Sequence, residues 1–287
     1  MTETRLNGVI AAFEKGEVAF GTFVPPEIGA AQTAADAAYD GIIFEMEHNP
    51  YDITKLRHAL QYMLNRRELT AAATPAPRVT PLVRVPVNGG EMSQWIAKQV
   101  LDLGVYGIIW PHVCTVGQAK AAVAACRYAR PKGMPNYEPA GQRGDGPRHA
   151  ARYWGITQAE YYERADVWPI DPKGEILVGM MCEKVEAMEN LADILEQVPG
   201  IGLVIIGEGD LSQNMGYPRQ YDHPEVVAAM TRIRETCKRF NVICGHPHVD
   251  MKNIDDILEK GYRWLQTAPL TTFPALEHGR RIAGRAS

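Results

Sequence analysis

Glu183 and Asp210 stand at the two ends of a stretch that reads strand, helix, strand. Residues 175–182 are apolar, 184–197 carry helical spacing, and 202–206 are apolar again. Two such runs in one parallel sheet bring Glu183 and Asp210 to the same, carboxyl-terminal edge. There two carboxylates converge on an oxygen-loving divalent cation and leave positions open for substrate. In Gly207-Glu208-Gly209-Asp210 the two glycines let the backbone come close to a ligand. The plainer alternative is a helix-terminus charge at Glu183 and an N-cap at Asp210.

Reading the other strand ends in the same way adds Glu45, Glu47 and His48 after the second strand and Arg84 in the third. Trp110 and His112 follow the fourth, and His246 and His248 the seventh. A guanidinium inside an apolar strand is costly unless it is paired, so Arg84 reads as the group that stabilises an oxyanion. His48 reads as the proton carrier, with Glu45 as the carboxylate that fixes its ring. The alternative for His48 is a cap on the helix that begins near Asn49-Pro50. Trp110 and His246 read as substrate-pocket lining. A metal site at His246-Pro247-His248 is the weaker option, because Pro247 disturbs the alternation that would put both rings on one face. Tyr153, Trp154, Tyr161 and Tyr162 read as packing or a subunit contact.

These side chains need eight strands to carry them. Apolar runs at 18–24, 41–44, 82–87, 107–113, 175–182, 202–206, 242–245 and 263–266 alternate with helical patterns at 27–38, 52–69, 91–103, 116–128, 184–197, 222–240, 254–258 and 272–282. Eight strand–helix repeats over this length predict a TIM (β/α)8 barrel. A doubly wound sheet would announce itself with a glycine-rich phosphate turn after the first strand, and residues 22–29 hold none. The break in rhythm at 131–173 is expected to be a long decorated loop inserted after strand four of a single domain, 1–287.

The chain has 287 residues, 46% of them hydrophobic, and a net charge of −4 with both signs interspersed. That balance argues against nucleic acid as a partner. No apolar run reaches the length of a membrane span, and the start of the chain reads as a charged helix rather than a signal peptide. Five scattered cysteines without a Cys-x-x-Cys suit reduced thiols in the cytoplasm and no structural zinc.

Taken in order, Glu47-His48-x-Pro50-x-Asp52, Val83-Arg84-Val85, Ala140-Gly141-x-Arg143-Gly144, Glu183 and Gly207-x-x-Asp210-Leu211-Ser212 resemble the HpcH/HpaI family of metal-dependent, class II pyruvate aldolases. Met215-Gly216 and His223-Pro224-Glu225-Val226 add to the likeness, which runs from about Gly21 onward. The family includes 4-hydroxy-2-oxoheptanedioate aldolase and 2-dehydro-3-deoxyglucarate aldolase. The resemblance implies a barrel of the phosphoenolpyruvate/pyruvate type with Mg2+, Mn2+ or Co2+ on Glu183 and Asp210. It implies that pyruvate or its enolate chelates that ion, that Arg84 contacts the keto oxygen, and that His48 belongs to a proton-transfer dyad with an acid, here Glu45. The backbone at Gly209 and Asp210 would receive the pyruvate carboxylate. A homo-oligomer, hexamer or trimer, is implied too, with a C-terminal helix at 270–287 exchanged between subunits, and a place in aromatic compound catabolism.

The chain departs from the family pattern at several positions. Glu45 replaces an aspartate, Met181-Cys182-Glu183 replaces Gln-x-Glu, Glu208 replaces a proline, and Leu270 stands near a missing aspartate. The expected reaction is aldol cleavage of a 4-hydroxy-2-oxo acid to pyruvate and an aldehyde. Oxaloacetate decarboxylation, cleavage of a hydroxyacyl-CoA and a non-catalytic metal-binding barrel are the competing readings. A CoA substrate would call for a basic patch at the mouth, where the sequence offers Arg143, Arg148 and Arg152.

Overall fold

A computed structural model describes residues 4–86, 94–267 and 273–285. Eight parallel strands close into a ring: β1 (Ala19–Val24), β2 (Gly41–Glu45), β3 (Thr80–Arg84), β4 (Gly107–Trp110), β5 (Ile176–Cys182), β6 (Leu203–Ile206), β7 (Ile243–Val249) and β8 (Trp264–Thr267). Closure comes from β8 pairing with β1 and from β4 pairing with β5, Gly107 opposite Leu177 through Trp110 opposite Met180. The expected TIM barrel is thus the observed one. Its strands lie between an interior core and an outer helical layer. They are therefore largely apolar, as in Gly-Ile-Ile-Phe of β2 and Leu-Val-Ile-Ile of β6, and do not alternate, with polar side chains such as Glu45, Arg84 and Gln266 at their carboxyl ends.

Trp264 fills much of the interior between β1, β2, β7 and β8. A Cβ at Gly21 would lie 2.3 Å from its ring and one at Gly245 2.7 Å, so the neighbouring strands give up side chains to admit it. Below it the helix Gly8–Glu14 plugs the barrel with Val9, Ile10 and Phe13 buried. Asn7 caps that helix by accepting from the amides of Val9 and Ile10, and its own amide donates to the carbonyls of Tyr106 and Glu175. The outer helices present apolar stripes inward. On Pro224–Arg239 these are Val226, Met230, Ile233 and Cys237, the spacing expected from the sequence, each contributing about 1.5–3 kcal/mol of burial.

Several boundaries differ from expectation, each for a local reason. The helix expected over 52–69 is two, Ile53–Met63 and Arg66–Ala71, because Asn65 caps the second by accepting from the amide of Arg67. β3 begins at Thr80 and ends at Arg84, ahead of Pro86; residue 87 lies outside the described residues. β7 runs on past Gly245 through His246-Pro247-His248, with a register shift against β8 between His246 and Val249. The starts of the helices expected at 91–103 and 272–282, and Leu270, also lie outside the described residues. Within them the two helices are Trp95–Asp102 and Pro274–Ile282.

The excursion after β4 carries helices Arg148–Trp154 and Gln158–Arg164 and a two-residue strand, Val167–Trp168, pairing with the start of β5. It is bolted down from within. Arg127, itself buried, donates to the buried Asp166 and to the carbonyls of Asn136 and Pro139. The aromatic group is packing: the ring of Trp154 stacks on Tyr106 at 4.4 Å, and its indole N–H donates to the carbonyl of Gly104.

Candidate functional site

A cavity of about 320 Å3 opens at the carboxyl-terminal mouth, lined by the ends of β1, β3, β5, β6, β7 and β8. Arg84, Glu183, Gly209 and Asp210 all face it, as the strand-end logic requires. Glu183, just past β5, is 1% exposed, and its Oε2 is buried without a hydrogen-bond partner. Its seat is made by Gly207, where any Cβ would stand 2.5 Å from the Glu183 Cβ and 2.6 Å from that same oxygen. Asp210 enters from the first turn of the helix Glu208–Asn214, which starts as β6 ends.

The third wall is a pair of carboxylates around a guanidinium. Arg84 is ion-paired to Glu45 and, at 3.1 Å, to Glu47, and its plane lies 4.4 Å from the centre of the Phe23 ring. These partners offset the cost of burying the charge, while its Nε stays buried and without a partner. Glu45 was expected to hold the ring of His48. Its Oε1 instead accepts from the backbone amides of Glu47 and His48, at 2.7 and 3.2 Å, and its other oxygen is on Arg84. The ring of His48 is 65% exposed and stands 3.5 Å from Glu47. One extra methylene lets the Glu45 carboxylate curl back onto its own loop, so Glu47 takes the position beside the ring.

Two expected lining residues lie elsewhere. Trp110 is fully buried against Cys126, outside the cavity. His246 lies in a separate space of about 380 Å3 behind β7, edge-on to Tyr262, where burial pushes its pKa down. Both lie two residues before a positive backbone φ, 53° at His112 and 53° at His248. In each case the later residue, His112 or His248, stands beside a carboxylate, Glu183 or Glu208, and the earlier one, Trp110 or His246, is left off the cavity. The Glu208 carboxylate that pairs with His248 is buried.

His112 is the residue that most changes the picture. Its backbone N–H donates to Glu183, its Nδ1 lies 3.2 Å from Glu183 Oε1, and its Nε2 lies 3.3 Å from Glu47 Oε1. Ligand atoms of His112, Glu183 and Asp210 all fall within 4.8 Å of one another. Burial pushes the Glu183 carboxyl up to about 7, with His112 partly offsetting it. The hydrogen bond to Glu47 raises His112. Burial pushes Glu47 up, but His112 and the charge of Arg84 outweigh it and hold that carboxyl below its ordinary value. Two acids and one orphaned oxygen on an open cavity, with an imidazole close beside them, fit a divalent cation. Thr22, Phe23 and Gln266 are further lining residues that the residue-type reading passed over. The same rule finds them, since each sits at the end of β1 or β8.

Residues 20–270 match the HpcH/HpaI aldolase/citrate lyase family. The chain belongs to that family. Its members are carbon–carbon lyases. Among curated relatives, the 2-keto-3-deoxy-L-rhamnonate aldolase of Salmonella paratyphi B is 34% identical over 207 residues, which is 72% of this chain and 64% of that protein. The protein of the same name from Salmonella schwarzengrund is 34% identical over 226 residues, 77% and 73% of the two chains. The chain therefore spans just under two thirds of the first of these relatives. A crystal structure of an HpcH/HpaI aldolase/citrate lyase family protein from Burkholderia cenocepacia J2315 shares 25% identity and a TM-score of 0.75, covering 97% of this chain and 98% of that one. The HpcH/HpaI aldolase from Desulfitobacterium hafniense DCB-2, at 22% identity and a TM-score of 0.71 over 96% and 94% of the chains, shares the fold. The HpcH/HpaI likeness read from Glu47-His48, Arg84, Glu183 and Gly207-x-x-Asp210 is thereby upheld.

Proposed function

We propose that this family member cleaves a 4-hydroxy-2-oxo acid to pyruvate and an aldehyde, and runs the condensation in reverse. The observation that carries the reading is the convergence of Glu183 and Asp210, with an orphaned carboxylate oxygen, on one cavity with the buried Arg84. Glu183 and Asp210 would hold the ion, Mg2+, Mn2+ or Co2+. Once bound, such an ion supplies a Lewis acid next to the keto oxygen.

The chain's own groups do the rest. Arg84, fixed by Glu45, Glu47 and Phe23, stabilises the negative charge that develops on oxygen as the C–C bond breaks or a methyl proton leaves. The backbone at Gly209 and Asp210 receives the carboxylate of the 2-oxo acid. His48, exposed at the rim and next to Glu47, moves the proton. Glu45 acts on it through the loop rather than through the ring. Trp110 and His246 have no part in holding substrate. A hydroxyacyl-CoA is disfavoured by Arg143, which is buried between Asp102 and Tyr161 instead of facing the mouth. Among the described residues no helix is long and apolar enough to cross a membrane. We read the protein as a cytoplasmic homo-oligomer, hexamer or trimer, which sedimentation analysis would establish.

The test is proton–deuterium exchange of the pyruvate methyl group by NMR, first with chelator and then with Mg2+ or Mn2+. Exchange that requires the ion and is abolished by Glu183→Ala supports the reading. Absence of exchange with every ion overturns it.

A further inference from the structure

We propose that His112 is itself a ligand: its Nδ1 joins Glu183 and Asp210 in a set of one imidazole and two carboxylates, oriented from behind by Glu47. This rests on the metal-dependent reading above and goes beyond it by assigning a nitrogen donor and a class of ion.

Three independent features place the ring. The backbone of His112 sits at φ 53°, a region that a non-glycine residue occupies at a cost and that is often found where a side chain must be aimed. Its own N–H is tied to Glu183, so ligand and neighbouring carboxylate share one frame. The two ring nitrogens face different carboxylates: Nε2 stands against Glu47 at 3.3 Å, while Nδ1 is buried 3.2 Å from Glu183 Oε1 without making a hydrogen bond to it. A histidine that ligates a metal through one nitrogen characteristically donates the other N–H to a carboxylate, which fixes the tautomer and leaves the ligating lone pair free. Glu47 supplies that carboxylate and is itself held by Arg84 at 3.1 Å. A continuous path, Arg84 to Glu47 to His112, thus joins the oxyanion-stabilising cation to the ion. Among the described residues, His112, Glu183 and Asp210 are the trio whose ligand atoms converge.

The consequence is selectivity. Mg2+ favours oxygen ligands and retains water, whereas imidazole suits Co2+, Ni2+ and Zn2+. The site should therefore hold Co2+ more tightly than two carboxylates alone would, with little gain for Mg2+. The experiment uses the full chain and the ions alone. Pulsed electron paramagnetic resonance of the Mn2+-loaded protein reads nitrogen coupling directly, and calorimetry reads Co2+ and Mg2+ affinity. His112→Asn is the variant of choice because asparagine tolerates the left-handed backbone, and His112→Gln is the second. The expected result is nitrogen coupling in the native protein that persists in His48→Ala and vanishes in His112→Asn. Co2+ affinity should fall about tenfold or more with Mg2+ affinity nearly unchanged. An ion bound without nitrogen coupling, or Co2+ bound equally by the variants, overturns the His112 assignment while leaving Glu183 and Asp210 in place. A native protein that binds no divalent ion overturns both readings.

Discussion

Arg84 shows how one residue is made usable. Its charge is offset by Glu45 and Glu47, yet one nitrogen is left without a partner. Replacing it with alanine should lower kcat by about a hundred- to a thousandfold, the usual loss for one oxyanion donor, while the affinity for Mn2+ changes little. Normal turnover by Arg84→Ala would break the assignment. Glu183 makes a second prediction through its raised pKa. The ion competes with a proton below about pH 7, so metal affinity should weaken about tenfold for each pH unit below that value. In the metal-free protein the folded state keeps a proton that the unfolded chain releases between about 4.5 and about 7. Stability without metal should therefore decline as pH rises through that window, and Glu183→Gln should flatten the decline. Thermal melts at a series of pH values with chelator present check both signs.

The elements matter through the places where one ends against another. β6 gives way to the helix Glu208–Asn214 at Gly207, and the absent Cβ is the space that Glu183 fills. The backbone φ of Gly207, −91°, is open to any residue, so the requirement is room rather than conformation. Gly207→Ala should keep the fold, displace the Glu183 carboxylate and weaken divalent-ion binding at least tenfold. Calorimetry with Mn2+, with a circular dichroism spectrum to show the barrel intact, decides it; unchanged affinity would mean that Glu183 can move aside. The left-handed residues His112, just past β4, and His248, within β7, work in a related way, since each brings its own ring beside a carboxylate, Glu183 or Glu208.

At the level of the molecule the barrel separates stability from chemistry. The helix Gly8–Glu14 closes the end away from the cavity, and the side chain of Asn7 there makes four hydrogen bonds with no exposure to water. Asn7→Ala removes a cap and leaves two buried carbonyls short of a donor, which should cost about 2–4 kcal/mol. The melting temperature should fall by several degrees while kcat at 25 °C stays as it was. A large loss of activity in the still-folded variant would show that the two ends are coupled.

Much of this was legible in the residues themselves. Apolar runs at eight places specified parallel strands buried on both faces, and strand order then put Glu183, Asp210 and Arg84 at one edge, because the carboxyl ends of all eight parallel strands lie around the same mouth. Patterning is a one-dimensional signal, and here it was strong. What it could not carry were the contacts made where the pattern stops. Whether Glu45 turns to a ring or to its own backbone, and whether Trp110 or His112 meets Glu183, depends on one backbone angle or one methylene. Such choices are settled by packing against distant segments: Arg84 from β3 claims Glu45 and Glu47, and Glu183 from β5 claims the amide of His112. Only when the closed ring brings those strands together do these side chains have a partner to choose.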